Sequence, residues 1–399
     1  MNIARGVGTV ALGTALGQGS VIVATPLLAR LYSPAEFGQL ALLLTVAAYA
    51  AAAGCLRYDL ALSSSPKEDA PGLFWLCVFS ALIVTVLAGL VALLPWKRWT
   101  DSGLVSVVDR PVLLALTVGA VAVAQAVSSE SVRASQFTRL AILKASQGVL
   151  FAGASLLTAI GLVVAVPVSY AAAATVSVRR VASPSWQDIR EAASRYRSFP
   201  LLSLPGALFD VLACSAAVLV VSASYGMEEL GHFSQVQRFV GAPLLLVSAS
   251  LFQVFLRHSA DAHQAGRSLM PLIVSVGSRV AMLVAALMVA VIVLGEPILG
   301  FLLGPEWRVD TYFLFVVVGA LAVRICVSPF SSVLFTTGRL GHLFAWQFAY
   351  FVTAFSVLPF AAGRLGFDQF LMLYLLHETV LYLAYLALIV RAARRPGKS

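Results

Sequence analysis

Charged side chains are scarce in this sequence: they make up 11% of its 399 residues, whereas 60% of the residues are hydrophobic. A soluble globular protein carries about 25% charged residues, because its surface must face water. The few charges present here could not cover a soluble particle of this size. The composition therefore excludes a soluble protein and predicts that lipid surrounds most of the chain.

Motifs for catalysis and for metal or nucleotide binding are also missing. The four cysteines show no CxxC spacing, and the five histidines are scattered. Residues 397–399 match the last three residues of a P-loop motif, but Ala392 stands where that motif requires a glycine. His377 and Glu378 match the first two residues of a zinc-protease motif, yet Leu381 replaces its second histidine. We predict that the chain is not an enzyme, has no cofactor or metal, and draws on an energy source other than ATP bound to itself.

Apolar runs recur along the whole chain, and each is close to the roughly 20 residues with which a helix crosses a bilayer. Short connections separate the runs, and Gly161 is the one candidate turn between the fifth and the sixth. We predict an all-α, polytopic membrane protein with about twelve transmembrane helices. The predicted spans are residues 8–29, 37–60, 73–95, 111–128, 145–160, 162–178, 200–222, 231–255, 271–294, 312–335, 343–362 and 370–390.

Basic residues exceed acidic ones and give a net charge of +9, but they are dispersed between the apolar runs. This dispersion argues against a nucleic-acid partner. Most of the Lys and Arg residues fall in alternate connections, and such an excess marks the cytoplasmic side of a membrane protein. We therefore expect a multi-pass protein with both termini in the cytoplasm.

A weak internal repeat divides the chain into halves. Residues 32–38 and 225–231 share a tyrosine, a glutamate and a glycine at a constant offset of 193, and transporters are commonly built from duplications. We predict two pseudo-symmetric six-helix lobes, residues 1–178 and residues 200–399, the second with a short basic tail. Residues 179–199 would form a cytoplasmic linker that contains a candidate amphipathic helix.

Several charged residues fall inside the predicted spans. A charge at mid-bilayer costs roughly 2.5–3.5 kcal/mol, so it must face protein or water. Arg238 lies near the outer end of its span, and we favour a ligand contact for it over an ion pair with Asp210; Asp210 could instead be a protonatable coupling site. Arg279, Arg324 and Glu378, predicted as buried charges of the second lobe, fit a cationic cavity or internal ion pairing equally well.

The first span carries a polar stripe of Thr14, Gln18 and Thr25, spaced so that they share one helical face. This stripe suits hydrogen bonds between helices, or contact with a cavity. Gly13 and Gly17 form a GxxxG pattern on a neighbouring face, which predicts close helix packing.

The order of several longer runs resembles bacterial polysaccharide-biosynthesis flippases, the Wzx-type members of the multidrug/oligosaccharidyl-lipid/polysaccharide (MOP) exporter superfamily. The similarity starts with TPLLARLYSPAEFGQLALL at residues 25–43 and LRYDLAL at residues 56–62. It extends over nearly the whole chain. Further similar runs lie at residues 194–210, 235–256, 295–308 and 328–339.

This resemblance implies a central cavity lined mainly by spans one, two, seven and eight. It also implies that the chain moves undecaprenyl-pyrophosphate-linked oligosaccharide from the cytoplasmic to the outer leaflet of the bacterial inner membrane. The implied mechanism is alternating access, often driven by an ion gradient. The implied partners are the lipid-linked oligosaccharide, membrane lipids and polysaccharide polymerase machinery.

Carried over by position, the resemblance places five charged residues on the cavity helices or at their ends: Arg30, Arg57, Asp59, Asp210 and Arg238. A guanidinium binds phosphate through a planar, bidentate fork whose charge is permanent. We predict that Arg238, with Arg57 or Arg30, contacts the pyrophosphate or acidic sugars, and Gln18 is a further candidate. Asp210 and Asp59 are candidates for ion coupling or ion pairing.

Two other functions remain open. A drug or metabolite exporter of the same superfamily would favour an aromatic or acidic cavity, whereas three intramembrane arginines stand against two acids here. An integral-membrane polysaccharide polymerase or ligase would normally carry a sizeable external loop with catalytic residues. The longest external segments predicted here are residues 96–110 and 295–311.

Overall fold

The computed structural model describes residues 3–95, 105, 109–178, 181–241, 248, 255, 259, 267–337 and 339–394. Over these ranges the chain forms helices joined by short connections and contains no β-strand. The all-α prediction is therefore confirmed. The first helices are α1 (Ile3–Leu31), α2 (Pro34–Ala53), α3 (Tyr58–Ser64), α4 (Ala70–Ala92), α5 (Pro111–Arg133), α6 (Phe137–Leu156), α7 (Ala165–Ser177) and α8 (Trp186–Arg195).

The second part of the chain begins with a π-helical turn at Phe199–Ser203, which runs directly into helix α9. Its later helices include a long one of 34 residues with a proline inside it. A 3-10 turn at Ser328–Ser331 joins two of them. These helices are α9 (Leu204–Ser224), α10 (residues 227–241), α11 (Met270–Leu303), α12 (Thr311–Val327), α13 (Ser332–Thr336), α14 (Leu340–Ala362) and α15 (Phe367–Arg394).

Nine helical segments in the described part of the chain are long and apolar enough to cross a bilayer. Two more predicted spans correspond to helices that fall short of this standard. The fifth is α6, which starts eight residues earlier than predicted and so includes Lys144, and the sixth is α7, with only 13 residues. The eighth, residues 231–255, lies partly outside the described residues. The prediction of a polytopic helical membrane protein is confirmed.

The structure corrects the bounds of several predicted elements. The second span is not one helix of residues 37–60, because the chain breaks between α2 and α3. The ninth span continues to Leu303, so residues 295–303 are helical and are not the external loop that was predicted. The predicted turn at Gly161 is present, with a φ of +78° that suits glycine.

Packing groups the chain into two compact units, Met1–Gly231 and His232–Ser399. In the first unit α1 packs along α6, α4 packs along α5, and α9 packs against α2. In the second unit α12 packs against both α11 and α15. The lobe boundaries that the sequence suggests, residues 1–178 and 200–399, stay a prediction.

The repeated residues belong to two equivalent helix starts. Ser33 caps α2 in a capping box with Glu36, whose carboxylate accepts from the Ser33 backbone N–H at 2.9 Å. A Cβ on Gly38 would overlap the Met227 carbonyl, and a Cβ on Gly231 would overlap the Pro34 carbonyl. Pro34 and Met227 are related by the same offset of 193 as the two glycines. The helix starts of α2 and α10 thus meet reciprocally, as across a local twofold axis.

The segment before α9 contains the predicted amphipathic helix, α8, which lies on the N-terminal end of α4. Its two buried residues are Ile189 and Ala192. Arg195 forms an ion pair of 2.8 Å with Asp69, and the Tyr196 hydroxyl donates to the same carboxylate at 2.7 Å. The Tyr196 hydrogen bond and the Arg195 ion pair lower the pKa of Asp69, so this attachment stays charged at neutral pH.

Helices α1 and α6 pack backbone to backbone, as the GxxxG pattern predicts. A Cβ on Gly17 would overlap the Lys144 carbonyl of α6, whereas a Cβ on Gly19, also on α1, would meet nothing within 4 Å. We expect Gly17→Val to destabilise the first unit by about 3 kcal/mol or more, because the overlapping atoms are backbone. Gly19→Val is the matched control.

Thermal unfolding of both variants in detergent tests this packing. Gly17→Val should lower the midpoint by several degrees or reduce the yield of monodisperse protein, and Gly19→Val should match the wild type. Equal midpoints for the two variants would contradict close packing of α1 on α6.

Candidate functional site

The break between α2 and α3 is the most strained backbone in the described part of the chain. Leu56 and Arg57 both have positive φ values, 49° and 65°, although neither is glycine. A non-glycine residue in the left-handed region costs roughly 1–2 kcal/mol. Such strain persists where the surrounding structure holds it in place, and it concentrates at functional sites. Just before the break, Gly54 packs so closely on α5 that a Cβ would lie 2.5 Å from that of Ala122.

The strained conformation holds Arg57 beside the start of α9. Its Nε lies 3.4 Å from Ser203 Oγ, a long hydrogen bond to the last residue of the π-helical turn. The side chain is half-buried, and Nη1 and Nη2 have no hydrogen-bond or ion-pair partner among the described residues. Arg57 therefore presents two free donors and a permanent positive charge, which suits an anionic ligand.

Asp59 lies two residues farther on, with only 1% of its surface exposed. Its Oδ2 accepts a hydrogen bond of 3.0 Å from Gln125 Nε2 of α5. Its Oδ1 is buried and has no hydrogen-bond partner within the described ranges. The carboxylate forms no ion pair with Arg57, although both lie in the same short segment. A buried carboxyl group with an unpaired oxygen can bind a proton or a cation.

Helix α9 carries Asp210 seven residues after Ser203, so the two residues share one face of the helix. Asp210 is exposed. Because a charge in lipid is costly, its exposure indicates that this face of α9 meets water or substrate. The helix is fixed to α2 by a 2.6 Å hydrogen bond between the hydroxyls of Tyr49 and Ser215.

Helix α1 contributes Gln18 and Arg30, whose side chains are both exposed. The two threonines of the polar stripe are satisfied within the helix. Thr14 donates to the Val10 carbonyl at 3.0 Å, and Thr25 donates to the Val21 carbonyl at 2.8 Å. Of the predicted stripe, only Gln18 remains available to line a cavity.

In the second unit, Arg238 is half-buried on α10 and has no hydrogen bond or ion pair within the described part of that unit. Arg324 is likewise half-buried on α12. Arg279 is exposed on α11, so the prediction that its side chain is buried is wrong. Its face of this long helix is not packed against the described helices.

Glu378 is buried among aromatic side chains. It has 1% of its surface exposed, and its Oε1 accepts a 2.6 Å hydrogen bond from the Tyr350 hydroxyl. The Trp346 ring stacks between Tyr350 and Tyr385, with ring centroids 5.4 Å and 4.0 Å away. This arrangement joins α14 to α15 and favours a structural role for Glu378.

Sequence reasoning identified Arg57 and Asp59 but missed their partners, Ser203 and Gln125. Gln125 could have been noticed as a polar side chain in the middle of an apolar span. Nothing in the sequence marks Ser203, because its role depends on how α9 packs. Lys144, which the sequence placed in a connection, lies half-buried in α6.

Comparisons with known proteins agree with this architecture. A family model described as polysaccharide biosynthesis protein matches residues 27–310. No curated protein matches the chain. Among solved structures, the eukaryotic MATE transporter AtDTX14 is 13% identical with a TM-score of 0.58, and the match covers 98% of this chain and 97% of that one.

Two further structures have the same fold. A MOP superfamily transporter from Pyrococcus furiosus is 11% identical, with a TM-score of 0.55 and coverage of 98% and 96%. The MATE multidrug transporter DinF-BH, solved in complex with R6G, is 14% identical, with a TM-score of 0.53 and coverage of 97% and 92%. At these identities the similarity shows the fold, while the family model covers well over half of the chain. The chain therefore belongs to the polysaccharide biosynthesis protein family, and it is a multi-pass membrane protein with the fold of MATE and MOP superfamily transporters.

Proposed function

We propose that this protein is a membrane transporter, a flippase for undecaprenyl-pyrophosphate-linked oligosaccharide in the bacterial inner membrane. It moves its substrate from the cytoplasmic to the outer leaflet by alternating access, with both termini in the cytoplasm. Polysaccharide polymerase machinery would use the delivered substrate. The observation that carries the proposal is Arg57, whose two free donors and fixed charge suit a pyrophosphate.

Several further features support an anionic lipid-linked substrate. Arg30 and Gln18 add exposed polar groups on α1, and Arg238 adds a half-buried guanidinium on α10. An exporter of organic cations would gain nothing from three arginines. The oligosaccharide itself would be polar and uncharged or acidic, which suits exposed polar side chains in a water-filled space.

Asp59 is the group that we propose couples transport to an ion gradient. Its unpaired Oδ1 offers a single buried acceptor atom. A proton needs only one such atom, whereas a bound metal cation needs several oxygen ligands. Coupling to protons is therefore favoured over coupling to a metal cation.

Reconstitution tests the substrate. Proteoliposomes that contain the purified chain and a fluorescent lipid-linked oligosaccharide should expose the sugar to an external quencher faster than protein-free liposomes do. Transport of a cationic dye without movement of the oligosaccharide would establish a drug exporter instead.

Arg238→Ala is expected to abolish complementation of a flippase-deficient strain at normal protein levels. The substitution removes a guanidinium that forms no hydrogen bond or ion pair with the described residues, so the fold should not depend on it. Arg267→Ala, which removes an exposed arginine in a connection of the same unit, is the matched control. Surface polysaccharide of each strain is measured together with the amount of protein in the membrane. Full complementation by Arg238→Ala would contradict the assigned substrate contact.

A further inference from the structure

A long apolar groove runs along the first unit, between α4, α5 and α7. Its volume is about 920 Å³, near the upper end of the roughly 300–1,000 Å³ typical of ligand pockets. On α5 the lining extends from Pro111 to Val127. This stretch is about 24 Å long at the rise of an α-helix. The groove therefore follows the helices through most of the roughly 30 Å hydrocarbon layer.

The floor of the groove is made of small or buried residues. Gly119 and Ala120 of α5 and Ala174 of α7 leave the space open, while larger side chains form its edges. Val112 is 71% exposed and Leu116 is 57% exposed. The concavity thus results from the placement of small residues between two exposed apolar edges.

Polar groups are nearly absent from the lining. The Thr85 hydroxyl donates to the Ala81 carbonyl at 2.7 Å, and the Thr175 hydroxyl donates to the Ala172 carbonyl at 2.8 Å, so both are satisfied within their own helices. Among the described residues of the lining, Arg110 is the one that carries a charge, and it lies at one end of the groove. Its exposed guanidinium has no hydrogen bond or ion pair to any described residue. The chemistry is that of a long hydrocarbon chain with an anionic head.

The proposed substrate has both chemical parts that these features suit: a long polyprenyl chain and a phosphate next to it. The apolar lining suits the chain, and the guanidinium of Arg110 suits the phosphate.

We propose that this groove binds the polyprenyl chain of the lipid-linked substrate after the sugar has crossed the membrane, with the phosphate at Arg110. The inference rests on the proposed function and adds a place for the lipid tail. The pyrophosphate contacts Arg57 first and then reaches Arg110, which lies at the end of a segment predicted to be external. A tail held along α5 and α7 stays in an apolar environment at this stage.

Photolabelling of the full-length protein in nanodiscs tests the groove, with undecaprenyl phosphate that carries a diazirine in its chain as the probe. We expect labelled peptides from α5 and α7, and competition by unlabelled undecaprenyl phosphate but not by phosphatidylglycerol. Ala171→Phe, which fills the groove from an exposed position, should lower labelling about tenfold. Val176→Phe, on an exposed position of α7 outside the lining, should leave it unchanged.

The role of Arg110 has its own test. Arg110→Gln should weaken binding of undecaprenyl phosphate about tenfold, which corresponds to one charge-assisted contact. Binding of the uncharged undecaprenol should not change, and Arg364→Gln, at another exposed arginine, should affect neither lipid. Equal weakening of both lipids by Arg110→Gln would overturn the assigned phosphate contact.

Two results would overturn the groove as a polyprenyl site: unchanged labelling in Ala171→Phe, or equal competition by phosphatidylglycerol. Translocation by the wild type is measured separately, so that a failure of the groove proposal can be told from a failure of the proposed function. If the oligosaccharide is moved but the groove is not labelled, the tail site is wrong and the flippase stands. If the groove is labelled specifically but no oligosaccharide moves, the proposed function is wrong and the lipid site stands.

Discussion

Arg57→Gly is expected to slow transport about 10- to 100-fold while making the protein more stable. The residue has φ 65° and ψ 6°, a conformation that glycine adopts without a steric penalty. Relief of this strain should stabilise the fold by up to about 1 kcal/mol, once the greater freedom of glycine in the unfolded chain is allowed for. The same change removes the guanidinium, and each hydrogen bond to a charged group is worth about 1.5–3 kcal/mol. Transport should therefore fall about 10- to 100-fold.

Opposite effects on stability and transport separate a ligand contact from a structural role. The measurements are the thermal midpoint in detergent and the rate of oligosaccharide translocation in proteoliposomes. Arg57→Lys should keep part of the activity, because a lysine retains the charge but lacks the bidentate fork. Arg267→Ala, at an exposed arginine in a connection, is the control for loss of positive charge. If Arg57→Gly lowers the midpoint and transport together, the residue acts through the fold instead.

Much of the fold could be predicted because its cause is local. Apolar runs of bilayer length require helices, since lipid offers no hydrogen-bond partner to an open backbone. Gly161 could be assigned to a turn because the flanking residues offer no other break. Gly13 and Gly17 could be assigned to helix packing because small residues four apart expose the backbone. The ends of the helices were less predictable. Helix α11, for example, continues to Leu303 although Pro297 lies inside it.

The site was less predictable because its chemistry depends on tertiary contacts. The sequence marks Arg57 and Asp59 as charges at the end of a span. It does not show that the helix breaks there, because Leu56 and Arg57 are ordinary residues in an unusual conformation. Likewise, Ser203 and Gln125 are 146 and 66 residues away from the side chains that they contact.

The two most buried carboxylates of the described chain also look alike in sequence but differ in structure. Asp59 and Glu378 each have 1% of their surface exposed. Glu378 is held by Tyr350 within an aromatic cluster that joins two helices. Asp59 has one oxygen bonded to Gln125 and one left without a described partner. Equal burial thus accompanies different hydrogen-bonding environments.

Asp59→Asn is accordingly expected to uncouple transport from the proton gradient. Asparagine has nearly the same shape as aspartate but cannot take up a proton at this position. A pH gradient of one of the two directions should accelerate oligosaccharide translocation by the wild type. The expected acceleration is about tenfold, which corresponds to about 1.4 kcal/mol of coupling free energy. Asp59→Asn should translocate at the same slow rate with and without that gradient. A sodium gradient should accelerate neither protein.

Glu378→Gln is the matched control, since it neutralises an equally buried carboxyl group in the second unit. We expect it to lower the thermal midpoint, because it weakens the charge-assisted bond to Tyr350, and to leave the response to the pH gradient intact. A response that survives in Asp59→Asn and disappears in Glu378→Gln would move the coupling site to the second unit. The Asp59 Oδ1 would then lack a described partner only because the helix breaks nearby, and it would have no role in transport.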